Sequence, residues 1–148
     1  MVRTNNKIQA VIFRMEKDGP KFLIMRRIGG MNNDVWQSVT GGVESGETLD
    51  ETLKREVFEE TGIRPEDIIK YEKIMEFSFE SDGTKKNESV FEVEVRPDVV
   101  VTDKNNVYKE HDKWDWVEEN TAVSMVKWDN NKEAIKKTAS KYKIRRQT

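Results

Sequence analysis

The sequence contains no cysteine and a single histidine, His111. The first absence removes disulfides, thiolate zinc sites, iron–sulfur clusters and a cysteine nucleophile. The second removes a multi-histidine metal site within one chain and argues against a conventional zinc hydrolase. No run of about eighteen apolar residues occurs, so no helical membrane span is expected. The opening stretch MVRTNNKIQAVIF has neither an apolar secretory core nor a small-residue cleavage site, and a cytoplasmic location is the expectation. Excess charge of one sign is missing too. With 26 Lys plus Arg against 28 Asp plus Glu, the formal net charge of -2 exerts no global pull on nucleic acid. Repeats, low-complexity tracts and Pro- or Gly-rich linkers are absent, and the three prolines are scattered.

What remains is a chain of 148 residues, 36% charged and 35% hydrophobic. That length fits one domain over residues 1–148 and suffices for one core. Any metal must sit mainly on oxygen ligands, which suits Mg²⁺, Mn²⁺ or Ca²⁺.

Residues 8–15 and 21–27 read as two strands of a hairpin with a longer loop through Lys17-Asp18-Gly19-Pro20. Segment 30–34 reads as a loop and 35–40 as a short strand. Strict alternation puts Tyr71, Lys73, Met75, Phe77 and Phe79 on one face of a half-buried strand, with Ser81-Asp82-Gly83 as the turn after it. Phe91, Val93 and Val95 alternate with charged residues in its partner. After a loop rich in Asp, Asn and Lys comes a short strand over 113–117. The remainder reads as helix, with Ala134, Ile135, Thr138, Ala139 and Tyr142 at helical spacing behind Asn130 as a cap. No βαβ rhythm appears, so an α+β fold with one mixed sheet flanked by helices is favoured over a doubly wound fold.

The clearest helix, 49–60, opens with a capping box of Thr48 and Glu51 and ends at Gly62 in the left-handed position. It also carries an anomaly. With Leu49 at zero and about 100° per residue, Leu53 falls at roughly 40° and Val57 at roughly 80°, which defines the apolar stripe. Glu60 then lies at about 20° and Glu56 at about 340°, inside or bordering that stripe. Glu59 is on the flank at about 280°, beside Arg55 at about 240°. Like charges in a partly desolvated patch raise one another's pKa. Arg55 can neutralise one of them, whereas a divalent cation would hold several ionised. The alternative is a solvated Glu/Arg face with i,i+4 pairs, and helical geometry leaves both open.

The wider window, GGVESGETLDETLKREVFEETGI over 41–63, supplies Gly41, Glu47, Arg55-Glu56-Val57, Glu59-Glu60 and Gly62-Ile63 at fixed intervals. It resembles the Nudix box at all nine specified positions, a match expected by chance on the order of one time in a million. The resemblance implies the Nudix fold, an α/β/α sandwich, and a hydrolase that uses Mg²⁺, with Mn²⁺ as a substitute, against a pyrophosphate bridge. Gly41, Gly42 and Gly46 allow a tight loop ahead of the helix and close approach to phosphate oxygens. Matched residue by residue, Glu56 and Glu60 become the principal metal ligands and Glu59 another. Arg55 becomes the residue that orients a catalytic glutamate, and Glu47 supports the loop. Glu56 is the first choice of general base and Glu110 the second.

Residues 34–48, DVWQSVTGGVESGET, and the later Lys109-Glu110-His111-Asp112-Lys113-Trp114 are similar to the dihydroneopterin triphosphate pyrophosphatases, also described as dATP pyrophosphohydrolases. That similarity implies substrate contacts from Thr40, Arg26 and Arg3, and a metal ligand, Glu110, from outside the helix. The expected reaction converts a nucleoside or dihydroneopterin triphosphate to the monophosphate plus pyrophosphate. Oxidised nucleotides, dinucleoside polyphosphates and RNA 5′ ends are alternative substrates, and a non-catalytic nucleotide sensor is the alternative outside the enzyme class. The expected partner is a small phosphoanhydride, with no membrane and no nucleic acid; a homodimer is compatible with the resemblance. Trp36, Trp114, Trp116 and Trp128 read mostly as packing residues, and His111 as a solvated loop residue rather than a base.

Overall fold

The computed structural model describes residues 3–29, 34–106 and 111–147. Strand β1 (Arg3–Glu16) is its spine. One edge of β1 takes β4 (Val39–Glu44) over Arg3 to Ala10 and then β2 (Gly19–Arg27) over Phe13 to Glu16, both antiparallel. The other edge takes β6 (Thr84–Val95) in parallel from Asn6 to Phe13, and β5 (Ile68–Ser81) lies outside β6. Strands β3 (Val35–Gln37) and β7 (His111–Val117) pair with β2. The described strands thus form one mixed sheet of seven.

Alternation along β1 feeds two cores, because successive side chains leave opposite faces. Ile8, Ala10 and Ile12 join Leu53 and Val57 of α1 (Leu49–Thr61). Val11 and Phe13 join Ala122 of α2 (Glu119–Met125) and Ala134, Ile135 and Ala139 of α3 (Asp129–Gln147). Helices therefore cover both faces, giving the α+β architecture that the sequence predicts. Among the described residues no helix is long and apolar enough to cross a membrane.

Several details depart from the sequence-based expectations. Glu16 pairs with Gly19, so the first hairpin turns on Lys17-Asp18 alone rather than on a longer loop. The strand expected over 35–40 is two strands: β3 ends at Gln37, and β4 runs on to Glu44. Gly41 and Gly42 consequently lie in a strand paired with Ile8 and Lys7, not in a loop. Strand β5 carries a bulge, since Lys73 and Met75 face the consecutive residues Phe91 and Val90. An extra residue flips the later side chains of the strand to the other face. Tyr71 therefore packs with the α1-side core, while Met75 and Phe77 pack with the α3-side core. The last helix starts at Asp129, one residue before the expected cap.

The glutamates of β6 are buried rather than solvated. Glu92 is buried and accepts from Thr138 Oγ1 at 3.1 Å, Lys141 Nζ at 3.0 Å and Tyr142 Oη at 3.3 Å. Glu88 is buried against Gln9 Nε2 at 2.7 Å. These partners satisfy the burial cost of the carboxylates, which explains how a strand with glutamates at alternate positions can lie under a helix.

Candidate active site

The N-cap Thr48 accepts from Glu51 N at 3.1 Å, and Glu51 Oε1 accepts from Thr48 N at 2.9 Å. At the far end Gly62, at φ 76°, donates to Phe58 O at 2.8 Å. Both ends of α1 are thereby fixed, and burial of Leu53 and Val57 fixes its rotation. Glu56 and Glu60 then fall where the helical angles put them, only 4% and 5% exposed, while Glu59 stays half-buried.

Burial explains the chemistry of Glu56. Desolvation pushes its carboxyl up to about 7; the Arg55 charge and hydrogen bond oppose this, and Glu59 and Glu60 add to it. Space for the side chain comes from Gly41. A β-carbon at position 41 would lie 2.1 Å from Glu56 Cδ, so the β4 glycine makes room for the carboxylate.

Arg55 ties this helix to the segment before it. Its Nε donates to Glu47 Oε2 at 2.7 Å, Nη2 to Glu47 Oε1 at 2.9 Å and to Gly42 O at 3.0 Å, and Nη1 to Glu56 Oε1 at 2.8 Å. Glu59 Oε2 lies 3.5 Å from Nη1. Glu47 Oε1 also accepts from Glu44 N and Thr52 Oγ1, each at 2.9 Å. The Arg55 hydrogen bond, against opposing burial, holds the Glu47 carboxyl down at about 2. Arg55 is raised in turn, Glu47 being the leading cause. A planar guanidinium with five donors meets these acceptors in a way no ammonium could.

Glu60 is gripped from the other side. His111 Nδ1 lies 2.8 Å from Glu60 Oε2, and Asn106 Nδ2 donates to the same oxygen at 3.1 Å. His111 is 4% exposed, which corrects the expectation of a solvated loop residue. It opens β7 and pairs there with Arg27, so the strand carries its ring inward. Asn106 had no signal in the sequence. Its side chain meets Glu60 across 46 positions, and local spacing cannot register such a contact.

The structure brings Gly41, Gly42, Arg55, Glu56, Glu59 and Glu60 together. Thr40 precedes Gly41 on β4, half-buried and paired with Gln9. Arg26 is engaged elsewhere: Nε donates to Asp112 Oδ1 at 2.9 Å, Nη2 pairs with Asp112 Oδ2, and Nη1 donates to Asp34 Oδ1 at 3.3 Å. Glu110 and the Arg3 side chain lie outside the described residues. Of the tryptophans, Trp114 and Trp116 pack with the α1-side core and Trp36 with the α3-side core, while Trp128 is exposed.

The donor set suits a hard divalent cation. Glu56 Oε2 and Glu60 Oε1 have no hydrogen-bond partner among the described residues, their second oxygens being held by Arg55 and by Asn106 with His111. Among the described residues no three His, Asp or Glu side chains form a ready-made metal cage. Small hard cations need none, since they take one or two carboxylates and complete their shell with water and substrate phosphates.

Comparison with known proteins gives a consistent result. The family model described as the NUDIX domain matches residues 5–139. A dihydroneopterin triphosphate diphosphatase of Haemophilus influenzae is 32% identical over 91% of this chain and 87% of its own. Among solved structures, the E. coli dihydroneopterin triphosphate pyrophosphohydrolase superposes with a TM-score of 0.72 at 26% identity, covering 95% of this chain and 99% of that one. A C. elegans Ap4A hydrolase shares the fold, with a TM-score of 0.76 at 20% identity over 91% of this chain and 95% of that one. Two glutamates drawn into the apolar edge of a helix, with a glycine cleared for one of them, thus recur in a chain whose domain match and relatives agree, and this chain belongs to the Nudix family of hydrolases.

Proposed function

We propose that the protein, acting as one domain in the cytoplasm, hydrolyses a triphosphate on dihydroneopterin or a nucleoside, dATP included, to the monophosphate and pyrophosphate. One water is consumed per phosphoanhydride broken. The observation that carries this reading is the buried pair Glu56 and Glu60, each with one oxygen held and the other without a hydrogen-bond partner among the described residues. The Haemophilus relative, similar along nearly its whole length, supports the triphosphate over other phosphoanhydrides.

Nudix hydrolases use divalent metals, and the all-oxygen donor set favours Mg²⁺, with Mn²⁺ as a substitute. Bound there, the cation would neutralise the polyphosphate, activate water and stabilise the departing oxyanion. The remaining work belongs to the chain. Glu56 and Glu60 hold the cation, with Glu59 at the half-exposed margin and Glu110 as a further ligand. Arg55 fixes Glu56 through Oε1; Oε2 either binds the cation or, where Glu60 and Glu59 carry the ion, takes the proton of the attacking water, for which Glu56 is the first choice. Glu110 is the second choice for that proton. Gly41, Gly42 and Thr40 line the approach of the phosphates along β4. Arg3 is a phosphate or base contact. For Arg26 that role would require release from two carboxylates.

A substrate panel tests the proposal. Dihydroneopterin triphosphate, dATP, an oxidised nucleotide, Ap4A and 5′-triphosphorylated RNA are each assayed for phosphate release with and without inorganic pyrophosphatase. Phosphate that appears from dihydroneopterin triphosphate or dATP only when pyrophosphatase is added is the expected result. Turnover confined to Ap4A or RNA would overturn the substrate assignment, and no turnover with any member would overturn the activity.

A further inference from the structure

His111 contributes no atom to the proposed chemistry, yet it is buried beside it. Its Nδ1 and the Asn106 amide converge on one oxygen of Glu60, Oε2, at 2.8 and 3.1 Å. His111 Nε2 is buried with no hydrogen-bond partner among the described residues, so among them no second group competes to decide which ring nitrogen carries a proton. A carboxylate accepts and cannot donate, which puts the proton on Nδ1.

The two donors come from segments that α1 does not control. Asn106 closes a turn by donating its backbone N–H to Asp103 O at 3.0 Å, and His111 is locked into β7 by pairing with Arg27. A glutamate side chain left to itself samples several rotamers, and ordering it at the moment of ligand binding costs free energy. Here the ordering is done in advance.

We propose that His111, together with Asn106, is a positioning residue for Glu60: Nδ1–H and Nδ2–H hold Oε2 so that Oε1 is presented to the divalent cation. This rests on the reading of Glu60 as a metal ligand. Hydrogen-bonding partners behind a ligating carboxylate are typically worth about 10–100-fold in metal affinity.

Because the chain has one histidine, ¹⁵N-histidine labelling gives a single imidazole to observe. In the full-length, metal-free protein the proposal expects the Nδ1–H tautomer with a slowly exchanging proton. Adding Mg²⁺ should shift the Nδ1 resonance without changing the tautomer. Binding is then measured with Mn²⁺ alone, counting the free ion by electron paramagnetic resonance. His111→Leu should weaken it by about 10–100-fold. His111→Asn, whose amide can stand where Nδ1 stood, should restore it to within about threefold.

An Nε2–H tautomer, or a folded His111→Leu protein that binds Mn²⁺ as the unsubstituted protein does, would overturn the proposal. If His111→Leu does not fold, the tautomer of the unsubstituted protein decides. Glu60→Gln separates the two readings. Lost Mn²⁺ binding in Glu60→Gln with none lost in His111→Leu defeats the positioning role alone. Undiminished binding in Glu60→Gln defeats both that role and the ligand assignment beneath it.

Discussion

Gly41 on β4 and Glu56 on α1 occupy space that only one of them can fill: a β-carbon on the first would lie 2.1 Å from Cδ and 2.4 Å from Cγ of the second. The glycine is part of the carboxylate's socket. Gly41→Ala should therefore displace Glu56 rather than break the sheet, since the glutamate side chain is the more yielding partner. A stability loss of about 1–2 kcal/mol is expected, with kcat falling about a hundredfold or more. Adding Glu56→Ala should recover the stability and none of the activity. Thermal unfolding beside steady-state kinetics checks both halves.

Arg55 is the next test. Glu47, Glu56 and the Gly42 carbonyl all lean on one guanidinium, so Arg55→Lys is not a conservative change. The lysine variant should lose roughly 2–3 kcal/mol, discounted from a fully buried pair because Arg55 is 21% exposed. Its kcat should fall further than KM rises, as expected when a reacting carboxylate is misplaced. Denaturant melts and a kcat/KM comparison measure this.

The pH dependence of the metal-free protein separates Glu56 from Glu47. The folded Glu56 carboxyl sits at about 7, above its ordinary 4.5, so the folded state binds the proton more tightly than the unfolded state. Its contribution is fully present below pH 4.5 and lost as pH rises through 7, roughly 3 kcal/mol in all. Glu47 has the opposite sign. Held at about 2, it stabilises above pH 4.5, and that contribution disappears as pH falls through 2. In chelator, Glu56→Gln should raise the melting temperature at pH 8 and do little at pH 4, whereas Glu47→Gln should lower it at pH 7. Calorimetric scans over pH are the measurement.

Arg26 offers a prediction of small effect. Its guanidinium is occupied by Asp112 and Asp34, both at the surface. Arg26→Ala should leave the melting temperature nearly unchanged and change KM by less than about threefold. A tenfold rise in KM would mean that substrate draws Arg26 away from its carboxylates.

The helix that carries the carboxylates was legible from sequence because everything that sets it is local. Thr48 and Glu51 form the cap, Gly62 ends it, and the angles of Leu53 and Val57 put Glu56 and Glu60 at the buried edge. What lay between elements was not legible. The alternation from Tyr71 to Phe79 is unbroken in sequence, yet the bulge at Lys73 divides it between two cores. The glycines at 41 and 42 read as loop formers, whereas the strand pairs them with β1, and at Gly41 the missing β-carbon serves Glu56. The partners that let Glu88 and Glu92 be buried, Gln9 and Thr138, are set by the fold and not by spacing. His111 and Asn106 reach Glu60 across 51 and 46 positions, beyond any periodicity.

The most direct test is a crystal of the protein grown with Mn²⁺ and a triphosphate whose bridging oxygens are replaced by methylene. The anomalous signal locates the ion independently of any assignment of side chains. The predicted peak is bonded to carboxylate oxygens of both Glu56 and Glu60 and to a phosphate oxygen, at roughly 2.0–2.3 Å. A bound triphosphate with no ion on those two glutamates would contradict the metal-site assignment.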